Sequence, residues 1–122
     1  MKDFRNLQVW CKAHQLALRA YGVTSTFPRT DVYGLTARIR RCAVSVAANI
    51  AEGCGKRGNG EFHRFINFAT GSASELEYHF LLARDLSLVS EAEYEKLDTG
   101  VVEVKRMLAS LVRKVEAERW AG

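Results

Sequence analysis

Three glycines, Gly53, Gly55 and Gly58, stand in the spacing G-x-G-x-x-G within "AEGCGKRGNGEF", residues 51–62, with Lys56 and Arg57 between them. Glycines at that spacing let a backbone close on a pyrophosphate, provided a strand leads into them and a helix follows. The first chemistry to weigh is therefore nucleotide or phosphate binding. A Walker A loop is excluded directly. Gly55-Lys56 is followed by Arg57 where Ser or Thr would meet magnesium, and position 50 is Ile rather than Gly. The other reactive residues form no working set. His63 and His79 lie sixteen positions apart, about 24 Å along one helix, too far to share a metal within the chain. Cys54 and His63 flank the loop, but two ligands make no zinc site. Glu52, Glu61, Glu75 and Glu77 are available carboxylates, yet no Glu-x-x-His pair falls on each of two helices, as a di-iron bundle needs. Ser45 has no nucleophile-elbow pattern around it. The expectation is a protein that is not an enzyme and takes no metal and no cofactor.

Charge points more clearly than catalysis does. The chain of 122 residues carries a formal net charge of +4. Residues 1–64 hold eleven Lys/Arg against four Asp/Glu, and residues 65–122 hold seven against ten. A basic half suits an anionic partner such as nucleic acid, although an asymmetric solvated surface has the same composition. The candidate contacts are Arg38, Arg40 and Arg41 in one cluster, and Lys56, Arg57 and Arg64 in another. Arg38 and Arg41, three apart, share a helical surface, whereas Arg40 falls on a different face. Lys56 and Arg57 would stand beside the free N–H groups that open a following helix, a general anion site. No aromatic-rich platform for single strands is visible with them, because Trp10, Tyr21, Phe62 and Phe65 read as core residues.

The elements that must hold these residues are helical. Apolar residues recur every three or four positions in four blocks. The first contains Leu7, Trp10, Cys11, His14, Ala17, Leu18 and Tyr21, with His14 expected to be partly buried and satisfied. "TFPRTD" ends it, since Pro28 lacks an N–H and disfavours helix at Phe27. The second contains Leu35, Ile39, Cys42, Val46, Asn49 and Ile50. Asn49 at a stripe position is expected to be structural, its amide hydrogen-bonded to fix register. The third contains Phe62, Phe65, Ile66, Ala69, Ala73, Leu76, Phe80 and Ala83, with Asn59 as its cap and Glu61 in its first turn. The fourth contains Tyr94, Leu97, Val101, Val104, Leu108, Leu111 and Val115, opened by a Ser90–Glu93 capping box. No segment alternates with period two. The prediction is one all-α domain over residues 1–122, an antiparallel up-down-up-down four-helix bundle. A helix, not a strand, then precedes the glycines, which removes the dinucleotide reading and leaves Gly53 or Gly55 to end helix two in a left-handed conformation.

Three unpaired-looking cysteines, no secretory pattern and no apolar run long enough for a bilayer predict a cytoplasmic protein without membrane contact. A second apolar set on the last two helices, with Phe68, Leu81, Val102, Met107 and Val112 off the main stripes, predicts a homo-oligomer.

"FRNLQVWCKAHQLALRAYGVTSTFP", "YGLTARIRRCAVSVAANIAEG" and "EFHRFINFATGSASELEYHF" resemble the bacterial four-helix-bundle family of the protein encoded in 23S ribosomal RNA intervening sequences, often labelled S23 ribosomal protein. The most specific pieces are Arg40-Arg41, "NIAEG" at residues 49–53, and Gly71, Ser72, Glu75 and Leu76. The likeness runs from Phe4 to about Leu88. Ala47 departs from it, at a position where the family often has proline. The resemblance implies a four-helix bundle assembled into a ring, a homopentamer. A more distant similarity to accessory proteins of diversity-generating retroelements implies binding to RNA or DNA and to a protein partner. It brings no catalytic residues. The expected function is a non-enzymatic, oligomeric nucleic-acid-binding bundle; the alternative is a protein-interaction scaffold.

Overall fold

The computed structural model describes residues 3–121, with the side chains of residues 31–33 and 119–121 outside that description. It contains four helices: α1 (Gln8–Thr24), α2 (Ala37–Cys54), α3 (Asn59–Asp85) and α4 (Glu91–Ala121). No strand occurs among the described residues. No helix there is long and apolar enough to cross a membrane.

Cross-helix pairs fix the directions. Thr24 at the end of α1 meets Arg40 near the start of α2. Cys42 meets Glu75 while Gly53 meets Phe62 and Phe65, so α2 and α3 run antiparallel. Glu77 meets Lys105 while Asn59 reaches Glu118, so α3 and α4 do too. Lys12 with Glu103, and Leu16 with Gly100, set α1 antiparallel to α4. Each helix thus flanks the next and α4 returns to α1, the predicted up-down-up-down order.

The core is fully closed along the axis. Ile39, Val46, Ile50, Ile66, Ala69, Ala73, Leu76, Phe80, Leu97, Val101 and Leu108 expose no surface. Helices two, three and four therefore bury most of the stripes the sequence indicates, with Asn49, Phe65, Tyr94 and Leu111 left half-buried. Helix one does not. Its buried face is Val9, Ala13, Leu16, Ala17 and Ala20, while Leu18, Tyr21 and His14 are exposed and Leu7, Trp10 and Cys11 are half-buried. The stripe through the larger apolar residues lay about a third of a turn away from the one that faces the core. His14 is not a satisfied core histidine; its ring stacks on Trp10 with centroids 4.9 Å apart.

The connections also correct details. Thr24 donates to the Ala20 carbonyl at 2.7 Å, and buried Phe27 closes that end of the bundle just before Pro28. Residues 32–36 form an irregular turn bent at Gly34. Gly55 keeps a right-handed conformation, and the glycine that adopts positive φ is Gly58, at +78° on the threshold of α3. Asn59 is already inside α3 and points its amide at Glu118, so it is not the cap. Gly53 is required for a different reason. A Cβ there would come within 2.9 Å of the Phe65 Cβ, so α2 and α3 approach too closely for a side chain. α3 ends through Ser87 at φ +61°, with the Leu88 N–H returning to the Ala83 carbonyl. Ser90 then caps α4 by accepting from the Glu93 N–H at 3.1 Å, as expected.

Candidate nucleic-acid interface

The six cationic candidates separate into two groups at opposite ends of α2. Arg41 and Cys54 are thirteen residues apart on that helix, which puts about 20 Å between the arginine cluster and the glycine loop.

At the first end the arginines diverge. Arg40 turns towards α1: its Nε donates to the Thr24 hydroxyl at 2.8 Å and its guanidinium lies 4.7 Å from the centre of the Tyr21 ring. It is half-buried and ties two helices together. Arg41 lies on the α3 side, close enough for its charge to favour the ionised forms of both Cys42 and Glu75. Arg38 is exposed one turn earlier on that side. This end offers two solvent-facing cations and one that is already engaged.

At the loop end the cations share a setting. Lys56, Arg57 and Arg64 are all exposed. The Lys56 ammonium lies 5.4 Å from the centre of the Phe65 ring. The Arg64 guanidinium lies 5.7 Å from Phe65 and 5.3 Å from Phe68. The two rings meet edge to face at 5.5 Å, and Phe68 is exposed. Arg64 also pairs with Glu61 at 3.5 Å, a surface contact of little energetic weight. Thus Phe65 is not simply a core residue. The loop end joins cations to aromatic faces, a combination that the stripe pattern alone does not reveal. The signal is present as Phe65 and Phe68 at a three-residue spacing beside Arg64, which puts all three on one helical surface.

Between the two ends, the α2–α3 seam is lined with polar groups. The Asn49 amide donates to the Ser45 carbonyl at 2.8 Å and the Ser45 hydroxyl at 3.0 Å. That hydroxyl lies 2.8 Å from the Ser72 hydroxyl on α3. Asn49 therefore engages its own helix and reaches α3 only through Ser45. One turn further along, Cys42, Glu75 and His79 converge, with ligand-capable atoms all within 4.8 Å of one another. Cys42 donates to the Glu75 carboxylate at 2.7 Å, and burial, then that carboxylate, push its thiol up to about 12. Glu75 is held below the ordinary carboxylate range, chiefly by the Cys42 hydrogen bond and then by that of His79. Pattern reading misses this trio because Cys42 is thirty-three residues from Glu75 and only the antiparallel pairing unites them.

On the α1 side, α2 presents an open apolar groove of about 560 Å3. Phe4, Trp10, Leu18 and Tyr21 form one wall, and Val44, Ala48 and Ala51 the other. Leu18 is 60% exposed and Val44 44%. Exposed apolar side chains are gathered here on one side of the bundle.

The sequence profile described as "23S rRNA-intervening sequence protein" matches residues 5–110. That span runs past Leu88, where the motif resemblance ends, and includes most of α4. A crystal structure of a protein of unknown function from the S23 ribosomal protein family, from Bacteroides thetaiotaomicron, superposes with a TM-score of 0.77 at 23% identity. The match covers 85% of this chain and 97% of that one, and at this identity it establishes the fold. Comparison with curated proteins gives no match. The chain belongs to the 23S rRNA-intervening sequence protein family.

Proposed function

We propose that this family member acts in the cytoplasm as a non-enzymatic, homo-oligomeric bundle that binds single-stranded RNA. The observation that carries the reading is the loop end, where Lys56 and Arg64 stand over Phe65 and Phe68 with Arg57 alongside. Cations neutralise the phosphate backbone, and an exposed aromatic face stacks bases without choosing among them. Arg38 and Arg41 extend the basic surface at the far end of α2, and Arg40 contributes mainly by holding α1 against it. The groove between α1 and α2 supports assembly into copies, and the family resemblance favours five. Repetition around a ring multiplies a weak contact into a strong one.

The groove also supports a second reading, in which the same particle is a protein-interaction scaffold and its cations only solvate it. The test is the Lys56→Ala/Arg57→Ala double variant with unrelated single-stranded RNAs. On the RNA reading, affinity falls by a similar factor for every sequence. The slope of log K against log salt flattens by about 0.7 for each phosphate that the variant no longer neutralises. Unchanged affinity and slope, with the assembly intact, would hand the function to the scaffold reading.

A further inference from the structure

The Cys42–Glu75–His79 cluster has no part in that reading. It joins a thiol, a carboxylate and an imidazole from two helices, the three donor types that bind zinc. Two of the three residues, Cys42 and His79, are buried, and Glu75 closes the solvent side with its side chain 60% exposed. Ordinary packing explains one pair: Glu75 and His79 are four apart on one helix. It does not explain the third member. Elsewhere in the chain, Cys11 approaches a carbonyl oxygen at 3.6 Å, whereas Cys42 is brought to 2.7 Å from Glu75 Oε2. The His79 ring completes the donor set. It is 8% exposed, its Nε2 faces Glu75 Oε2 at 3.2 Å, and its buried Nδ1 has no hydrogen-bond partner. Packing buries the ring, and its Nε2 is thereby presented to the cluster as a nitrogen donor with no partner outside it.

We propose that Cys42, Glu75 and His79 form a binding site for a divalent zinc-class cation, with water from the Glu75 side as the fourth ligand. Zinc lies about 2.0–2.3 Å from sulfur, nitrogen and oxygen donors, so tetrahedral ligands sit about 3.3–3.6 Å apart. The atoms here already lie within 4.8 Å. Sγ and Nε2 lie 2.7 and 3.2 Å from Glu75 Oε2, so the 4.8 Å span separates the sulfur from the ring; binding draws those two together by about 1 Å while Glu75, on the solvent side, backs away from the sulfur. On binding, the Cys42 S–H bond breaks, its proton leaves to solvent, and the Sγ–metal bond forms. The Arg41 guanidinium is the charged neighbour. It favours the thiolate and carboxylate but opposes a bare cation, so it moderates the affinity. A bound ion would tie α2 to α3 across their seam.

The test uses the reduced, untagged, chelator-stripped full-length protein and Co2+ as a spectroscopic probe. The expected result is a thiolate-to-cobalt charge-transfer band that saturates at one ion per chain and bleaches when Zn2+ is added. Cys42→Ser abolishes the band, and Cys11→Ser leaves it unchanged. Glu75→Gln, at an exposed position that should fold normally, weakens binding at least about tenfold. Zn2+ raises the melting temperature of the wild type but not of Cys42→Ser. No band in the wild type at millimolar Co2+ overturns the proposal, as does a band that survives Cys42→Ser. RNA binding is read separately, so failure here leaves the loop-end reading standing.

Discussion

The two flanks of α2 differ in a way their composition does not announce. Towards α3 the helix presents Cys42, Ser45, Asn49 and Gly53, a polar and small-residue set. That side is sealed, with hydrogen bonds across it and a backbone approach too close for a Cβ. Towards α1 it presents Val44, Ala48 and Ala51 beside Leu18 and Tyr21, a more apolar set, and that side is open. Polar groups that pair across the α2–α3 seam, with a glycine at its closest approach, seal that side, while the α1 side leaves apolar side chains at the surface. Burial within the chain follows steric fit, and the apolar surface left over is what a second molecule can use.

Two valines on these flanks separate the roles. Val46 is fully buried and Val44, two positions earlier, is 44% exposed. Val46→Ala should cost about 2 kcal/mol or more of unfolding free energy, from forfeited transfer energy and a residual cavity. Val44→Ala should change the stability of the isolated chain by less than about 0.5 kcal/mol. It should nonetheless weaken self-association measured by light scattering or sedimentation. Equal stability losses at the two sites would erase the distinction between flanks. Loss of fold without loss of assembly at Val44 would reverse it.

Glycines sharpen the same point with a smaller effect. Gly53→Ala places a methyl 2.9 Å from the Phe65 Cβ, an atom fixed to the α3 backbone. Overpacking should outweigh the helical gain of alanine and lower stability by about 1–2 kcal/mol in denaturant titration. Gly71→Ala, in α3 with nothing within 4 Å of the added carbon, should instead raise stability by about 0.5–1 kcal/mol. A stabilising Gly53→Ala would show that the seam yields easily.

Much of the bundle is legible in the sequence because three of its helices bury most of one stripe each. Phe62, Ile66, Ala69, Ala73, Leu76 and Phe80 repeat at helical spacing and all end in the core. α1 departs from its sequence pattern because its bulkiest apolar residues are not the ones that face the core. Ala13 and Ala20 contact the core, while Trp10, Leu18 and Tyr21 are the bulkier and more conspicuous residues. The caps show the same limit: Ser90 was identifiable, yet the turn before α3 depends on Gly58 rather than on Asn59 or Gly55. For the candidate site, the loop cations could be named from the sequence, but their relation to Phe65 and Phe68 required a helix to align them. Cys42 and Glu75 required a whole antiparallel hairpin. Spacing within one element can be read along a line; pairing between elements depends on which residues sit opposite each other, and no single stretch encodes that.

α4 is much longer than the helix it returns to. Lys12 opposite Glu103 and Leu16 opposite Gly100 place Gln8, where α1 begins, near ~107, leaving about 20 Å of α4 beyond it. Along that overhang α4 keeps Val115 buried and reaches His63 and Asn59 of α3 through Glu116 and Glu118. Burial along α4 is therefore graded, dense from Leu97 to Leu108 and sparse beyond, while α1 meets the same end of the bundle through α2, where Phe4 and Trp10 share a groove with Ala51. Sparser burial makes local opening easier, so amide hydrogen exchange should run faster in the last three turns of α4 than around Leu97 to Leu108. Uniform protection along α4 would contradict this gradient. The loop that carries Lys56 and Arg57 lies at the compliant end, where adjusting to an irregular polyanion disturbs the least structure.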